Sequence, residues 1–205
     1  MAEEKSKRIK LVLGSAKGKL VRFSYLNVHE PRLNRESNKT EYSVLALLSK
    51  ENNTEDIAAL KDAIDQLKKE EWTNKKKPIP PNFWNPLRDG DKDTKQDGSP
   101  LDASCKGHYV INCKTDEKYP PTVVGTTKGS DGKFLPVGKS GVKSGDWGRV
   151  SVNLGAYPKG TGGVSSYLVN LQFVQAGDPL GNHSSAEDDF ADFDDDGLDD
   201  DLAFG

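Results

Sequence analysis

"WGRVSVNLGAYPKGTGGVSSYLVNLQFVQ", Trp147 to Gln175, is the stretch that decides the fold. Trp147, Arg149, Ser151 and Asn153 alternate with Val150, Val152 and Leu154. A period of two puts these sets on opposite faces of a strand, one solvated and one buried. The run from Val164 to Gln175 alternates in the same way, and "KGTGG" (Lys159–Gly163) supplies the glycines of a tight connection. Two such runs joined by a glycine-rich turn predict an antiparallel hairpin.

Working outward, "KLVRFSYLNVHEP" (Lys19–Pro31) alternates around Leu20, Phe23, Tyr25 and Val28 and predicts a strand that Pro31 ends. In "RFSY", Arg22 and Ser24 share one face and Phe23 and Tyr25 the other. "EYSVLALLSK" (Glu41–Lys50) is short and apolar, as a buried strand is. Thr54 is the expected cap of a helix reaching to about Trp72, with Ile57, Leu60, Ile64 and Leu67 spaced by threes and fours. "KKKPIPPNFWNP" (Lys75–Pro86) carries four prolines and cannot be regular structure. Pro86–Asp102 is polar and turn-rich. Gly107–Thr115 predicts a strand, Pro120–Thr127 a short one near an edge, and Gly129–Gly145 a glycine- and lysine-rich loop. About six strands and one helix predict a mainly β protein, a small barrel or sandwich. The OB-fold, a five-stranded β-barrel with an inserted helix, is one member of that class; other barrels share the pattern. The expected organisation is a flexible N-terminus over 1–18, a barrel domain over 19–176 and a disordered acidic tail over 177–205.

Charge divides the chain. Ten of its 32 acidic residues fall between Glu187 and Asp201, where there is no base. The remaining 22 acids face all 29 lysines and arginines in residues 1–186, so the body is near +7 and the tail near −10. That asymmetry suggests a nucleic-acid-binding body with an acidic arm. No run approaches the ~18 apolar residues of a membrane span. The start, "MAEEKSKRIK", lacks the apolar stretch of a secretory signal, so a cytoplasmic protein is expected. Cys105 and Cys113 have no zinc-site spacing and are expected to be reduced thiols.

Catalytic constellations are scarce, and no enzyme, metal or cofactor is expected. His29, His108 and His183 lie far apart. "GKS" (Gly138–Ser140) resembles half a phosphate loop, but Lys133 stands where that loop needs its first glycine. Asp89 and Asp91 in "RDGD" could hold the metal of a nuclease, or cap the amides of a turn. "DFDDDGLDD" (Asp192–Asp200) matches the start of a calcium loop, but Ala203 stands where its bidentate glutamate belongs.

Chemistry of another kind is present. Single-stranded nucleic acid is held by cations along its phosphates and by aromatic faces on which bases stack. The polar face of Trp147–Asn153 sets a ring beside a cation, and Tyr157 and Lys159 extend it into the turn. In "HYVINCK", Tyr109, Ile111 and Cys113 oppose Val110, Asn112 and Lys114. Phe23, Phe173 and Trp72 are expected in the core, and Trp147, Tyr157, Tyr119 and Tyr109 at the surface. Arg88, Lys92, Lys114, Arg149 and Lys159 are the expected phosphate contacts.

"YSVLALLSK", the helix, "NPLRDGDKD", "GHYVINCKTDEKYPPTVV" and "SGDWGRVSVNLGAYPKGTGGVSSYLVNLQFVQAGDPLGN" come in this order before the acidic end. Over roughly residues 20–183 they resemble an OB-fold family of phage-encoded single-stranded-DNA-binding proteins, formerly known only as uncharacterised phage proteins. Trp147 stands where such relatives often carry tyrosine, and "GTGG" follows Lys159. The resemblance implies a replication or recombination protein that coats single strands without sequence preference, in the host-cell cytoplasm. The tail, with Phe204 penultimate, resembles the acidic tails of replicative single-stranded-DNA-binding proteins. Such a tail can occupy the cationic groove until DNA displaces it. It can also recruit replication or recombination proteins through Phe190, Phe193, Leu202 and Phe204. A homo-oligomer is possible. The alternative is a phage scaffold protein acting through its acidic arm.

Overall fold

A computed structural model describes residues 7–16, 18–34, 37–95 and 97–180. It has nine strands among them: β1 (Arg8–Leu13), β2 (Val21–Asn34), β3 (Lys39–Ser49), β4 (Leu87–Asp89), β5 (His108–Asp116), β6 (Thr122–Lys128), β7 (Phe134–Pro136), β8 (Trp147–Tyr157) and β9 (Gly163–Gln175). One α-helix, α1 (Thr54–Lys68), continues into a π-helical turn over Lys69–Thr73. No helix of the described residues is long and apolar enough to cross a membrane.

The fold is mainly β and of the OB type. β2, β3, β5, β9 and β8 pair in that order, and β8 returns to β2. All neighbours in this ring are antiparallel except β5 and β9, which run parallel. That contact is a single register pair, Lys114 with Tyr167, and β8 meets β2 at only two, so the ring is partly open. The predicted hairpin is present: β8 and β9 pair from Trp147–Gln175 to Tyr157–Gly163.

The alternation read in the sequence explains the core. Val150, Val152 and Leu154 of β8 are fully buried, with Val44, Ala46 and Leu48 of β3, and Ile111 and Cys113 of β5. Phe23 of β2 is buried beside Gly148, where a Cβ would lie 2.6 Å from the Phe23 ring and 2.0 Å from the Gln172 carbonyl. α1 adds Ile57, Leu60, Ile64 and Leu67 to the same core. Outside the ring, Leu47, Val110 and Cys105 form a smaller cluster, against which Leu45, Leu101 and Leu180 pack.

Several boundaries differ from expectation. Residues 8–13, expected within a flexible N-terminus, form β1 along β8. Pro31 does not end β2, because it falls in the stretch between Asn27 and Arg32 that has no ladder partner and loses no hydrogen bond there. Asn53, not Thr54, is the residue before the first helical turn. Its carbonyl accepts from Ile57 at 2.9 Å, and its buried amide donates to the Lys19 carbonyl at 2.7 Å. The polar segments Pro86–Asp102 and Gly129–Gly145 contain the three-residue strands β4 and β7. Tyr25 does not share the buried face with Phe23: a register shift after Ser24 and a φ of 47° turn it outward. The start of the predicted tail, Gly177–Leu180, still follows the body, and residues 181–205, with Phe190, Phe193, Leu202 and Phe204, lie outside the described residues.

Candidate nucleic-acid interface

The outward faces of β1, β8 and β9 carry polar and cationic side chains, interrupted by the exposed Val12 opposite Ser151, whose hydroxyl is buried. Arg149 donates to the Gln172 side chain at 2.9 Å, one strand over. Ser151 pairs with Asn170, and Asn153 with Tyr167. β1 adds Lys10 opposite Asn153 and Arg8 opposite Gly155. The Arg8 guanidinium lies 5.1 Å from the centre of the Tyr167 ring. Gly155 lies beneath that pair, where a Cβ would stand at ordinary contact distance, 3.4 Å from the ring and 3.7 Å from Arg8. Across the ring, Tyr167 is the register partner of Lys114, whose ammonium pairs with Glu41 at 2.7 Å.

At the hairpin end, Tyr157, Gly163 and Trp84 lie side by side on three neighbouring segments. The proline-rich segment acts as a strap. Trp84 donates to the Gly162 carbonyl and accepts from Val164, both at 3.0 Å. The strap is held below by Trp72, edge-on to Phe83 at 5.4 Å. Glu71 ties its root through Lys75 at 2.7 Å and Lys77 at 3.0 Å. Burial pushes the Glu71 carboxyl up, but these two ammoniums outweigh it and hold it below its ordinary range. Trp84 remains 46% exposed and lines a cleft of about 450 Å³ with Asn85, Leu87, Arg88, Asp93 and Thr94. Arg88 is fixed there by the Thr94 carbonyl. Lys159 is exposed in the turn beside Tyr157.

The opposite end is more crowded. The Arg22 guanidinium lies 5.4 Å from the Trp147 ring. It also donates to the Gly145 carbonyl at 3.1 Å and the Asp178 carbonyl at 2.8 Å. Gly177 passes so close to Trp147 that a Cβ would stand 2.8 Å from the indole nitrogen. The chain that leads to the acidic tail is therefore anchored on this face.

Of the residues expected at the interface, the structure brings Arg149, Lys114, Tyr157, Lys159 and Arg88 onto this surface or its rim, with Trp147 under Arg22. Tyr109 is elsewhere. It packs against the core, its ring covered by Lys61 at 4.5 Å and Lys50 at 5.1 Å. Lys92 lies in the turn after β4, away from the row. Tyr119 is 71% exposed in the turn after β5, without a neighbouring cation stacked on it. Sequence reasoning missed Arg8, Tyr167 and Trp84. Tyr167 lay within an alternating run, whereas Trp84 sits among prolines with no periodicity to reveal it.

"RDGD" adopts the turn-capping arrangement. The Lys50 ammonium lies between Asp89 and Asp91, 2.7 Å from the latter. Asp89 accepts from the Asp91 amide at 3.0 Å, and Asp91 from the Gly107 amide at 2.9 Å. Hydrogen bonding to Lys50 lowers both carboxyls below their ordinary range. Tyr25 donates to Asp102, which, with burial, pushes its phenol up to about 12.

Comparison with known proteins gives the same direction. The family model described as "Enterobacter phage Enc34, ssDNA-binding protein" matches residues 10–202, and the chain belongs to that family. No protein with a curated description matches. Among solved structures, the single-stranded DNA-binding protein from bacteriophage Enc34 in complex with ssDNA is similar at a TM-score of 0.63 and 18% identity, covering 85% of this chain and 89% of that one. Gp2.5, a single-stranded DNA binding protein encoded by bacteriophage T7, is similar at 0.52 and 16%, covering 98% of both chains. At these identities the likeness speaks for a shared fold.

Proposed function

We propose that this member of the phage family binds single-stranded DNA without sequence preference, as a binding protein and not an enzyme. The observation that carries the reading is the outward row of β1, β8 and β9. There, the exposed Tyr167 ring stands beside the Arg8 guanidinium, and at the hairpin end of the row the strap adds a cleft that the exposed Trp84 lines with Arg88. Cations along such a row neutralise phosphates and release counterions. Rings accept any base, because every base has a π-face. Family membership supports the same reading.

The finer reading places the protein in phage DNA replication or recombination, in the host-cell cytoplasm. Its acidic end, near −10, competes with DNA for the body, near +7, and presents Phe190, Phe193, Leu202 and Phe204 to partner proteins. Supporting this, Arg22 holds the Asp178 carbonyl, so the acidic segment starts from the Trp147 end of the proposed face. Titration of a fluorescent oligothymidine, with a random-sequence oligomer beside it, tests the core of the reading. Similar affinity for both and a steep loss with salt are expected. Absence of binding at low salt would leave the acidic arm to be explained by a basic protein partner.

A further inference from the structure

The β6–β7 hairpin stands outside the five-strand ring, and β7 is the last strand of the sheet. Its surface is unlike that of a solvated edge. Phe134 is 44% exposed and Leu135 46%. The Lys128 ammonium lies 5.0 Å from the Phe134 ring centre, and the Lys133 side chain is 85% exposed. From Lys118 to Lys143 the sequence has five lysines against one acid, Asp131. The Gly129–Gly132 turn is closed by its own amide bonds, from Gly129 to the Lys133 carbonyl at 2.8 Å and from Gly132 to the Gly129 carbonyl at 3.0 Å. Phe134 therefore owes its exposure to a defined turn.

The hairpin is also wired to the proposed face. Gln172 accepts from Arg149 at 2.9 Å and donates to the Gly125 carbonyl of β6 at 3.0 Å. Neighbouring strands lie about 4.8 Å apart, so β7 is roughly 14 Å from β8 along the sheet. Arg149 is thus tied through Gln172 to the Gly125 backbone of β6, the strand whose far end carries Lys128 beside Phe134.

We propose that the β6–β7 hairpin is a second contact for single-stranded DNA, in which Phe134 stacks a base and Lys128 and Lys133 hold phosphates beyond the barrel. This rests on the binding face proposed above and adds length to it. Charge complementarity and continuity with Arg149 favour a nucleic acid over another copy of the chain on this edge.

The test uses the full-length chain with oligothymidines of about 6 and about 20 nucleotides, within and beyond the span of one OB fold. Phe134→Ala and Lys128→Ala alter exposed side chains, and circular dichroism checks that both variants fold. For Phe134→Ala, affinity for the long strand should fall roughly fivefold or more, with the short strand unchanged within twofold. For Lys128→Ala, the log–log salt slope on the long strand should shrink by about 0.7. Unchanged long-strand affinity overturns the proposal. So does an equal loss on both strands, or a change in solution mass that assigns Phe134 to a contact between copies. If the unaltered protein binds neither strand, the barrel face itself is at fault, which separates the two readings.

Discussion

Trp84 and Gly163 run side by side as a parallel bridge, and the bridge exists because residue 163 has no side chain. A Cβ there would lie 2.5 Å from the Trp84 carbonyl oxygen and 2.6 Å from its Cβ. One glycine thus sets both the seat of the strap and the place of an exposed indole. Gly163→Ala should cost about 1–3 kcal/mol of stability, as overpacking does, and should weaken DNA binding by displacing Trp84. Trp84→Ala separates the effects. Its melting temperature should hold, while affinity for oligothymidine falls by about 1–3 kcal/mol in an anisotropy titration. Binding within twofold of the unaltered protein would remove Trp84 from the interface.

Arg149 and Arg8 stand in the outward row, and their contribution should be electrostatic. Replacing either by alanine should lower the log–log slope of affinity against salt by about 0.7, with similar losses on any base sequence. A loss confined to one sequence would point to base recognition instead.

Phe23 is fully buried against Gly148. Phe23→Ala should lower stability by about 3–5 kcal/mol in a denaturant titration. The fraction that remains folded should bind DNA normally, since the ring faces the interior. A milder loss would show that the ring can collapse around the cavity.

Glu71 gives the strap a dependence on pH. A carboxyl held below its ordinary value contributes stability above that value, and the contribution drains away as pH falls through the lower, folded-state value. Glu71→Gln should therefore be destabilised by about 1–3 kcal/mol at pH 7, the loss of charged hydrogen bonds. The gap to the unaltered protein should close in acid. A gap in Tm that is constant from pH 7 down to pH 3 would contradict this account.

The strands that form the ring were legible wherever polar and apolar residues alternate, as in Trp147–Leu154. How the ring closes was not, because the pairing of Lys114 with Tyr167 joins distant segments and leaves no local pattern. Residues 8–13 do alternate, Ile9, Leu11 and Leu13 against Arg8, Lys10 and Val12, but the charged residues around them read as a frayed end. Arg8 was lost with them. Trp147 stood out beside a cation in the sequence, but the Arg22 guanidinium over its ring and the passage of Gly177 against it depend on contacts across the fold. Tyr109 followed its alternation inward, and only the structure shows Lys50 and Lys61 on its ring. Phe134 sits in a strand of three residues, too short for a period to register.

The central claim is that the body binds single-stranded DNA and the acidic end competes with it. The most direct measurement is an anisotropy titration of a fluorescent oligothymidine with the full chain and with a 1–186 truncation, at low and moderate salt. The account predicts that both bind, that the truncation binds more tightly, and that its advantage shrinks as salt screens the acidic end. A truncation that fails to bind at low salt would contradict it.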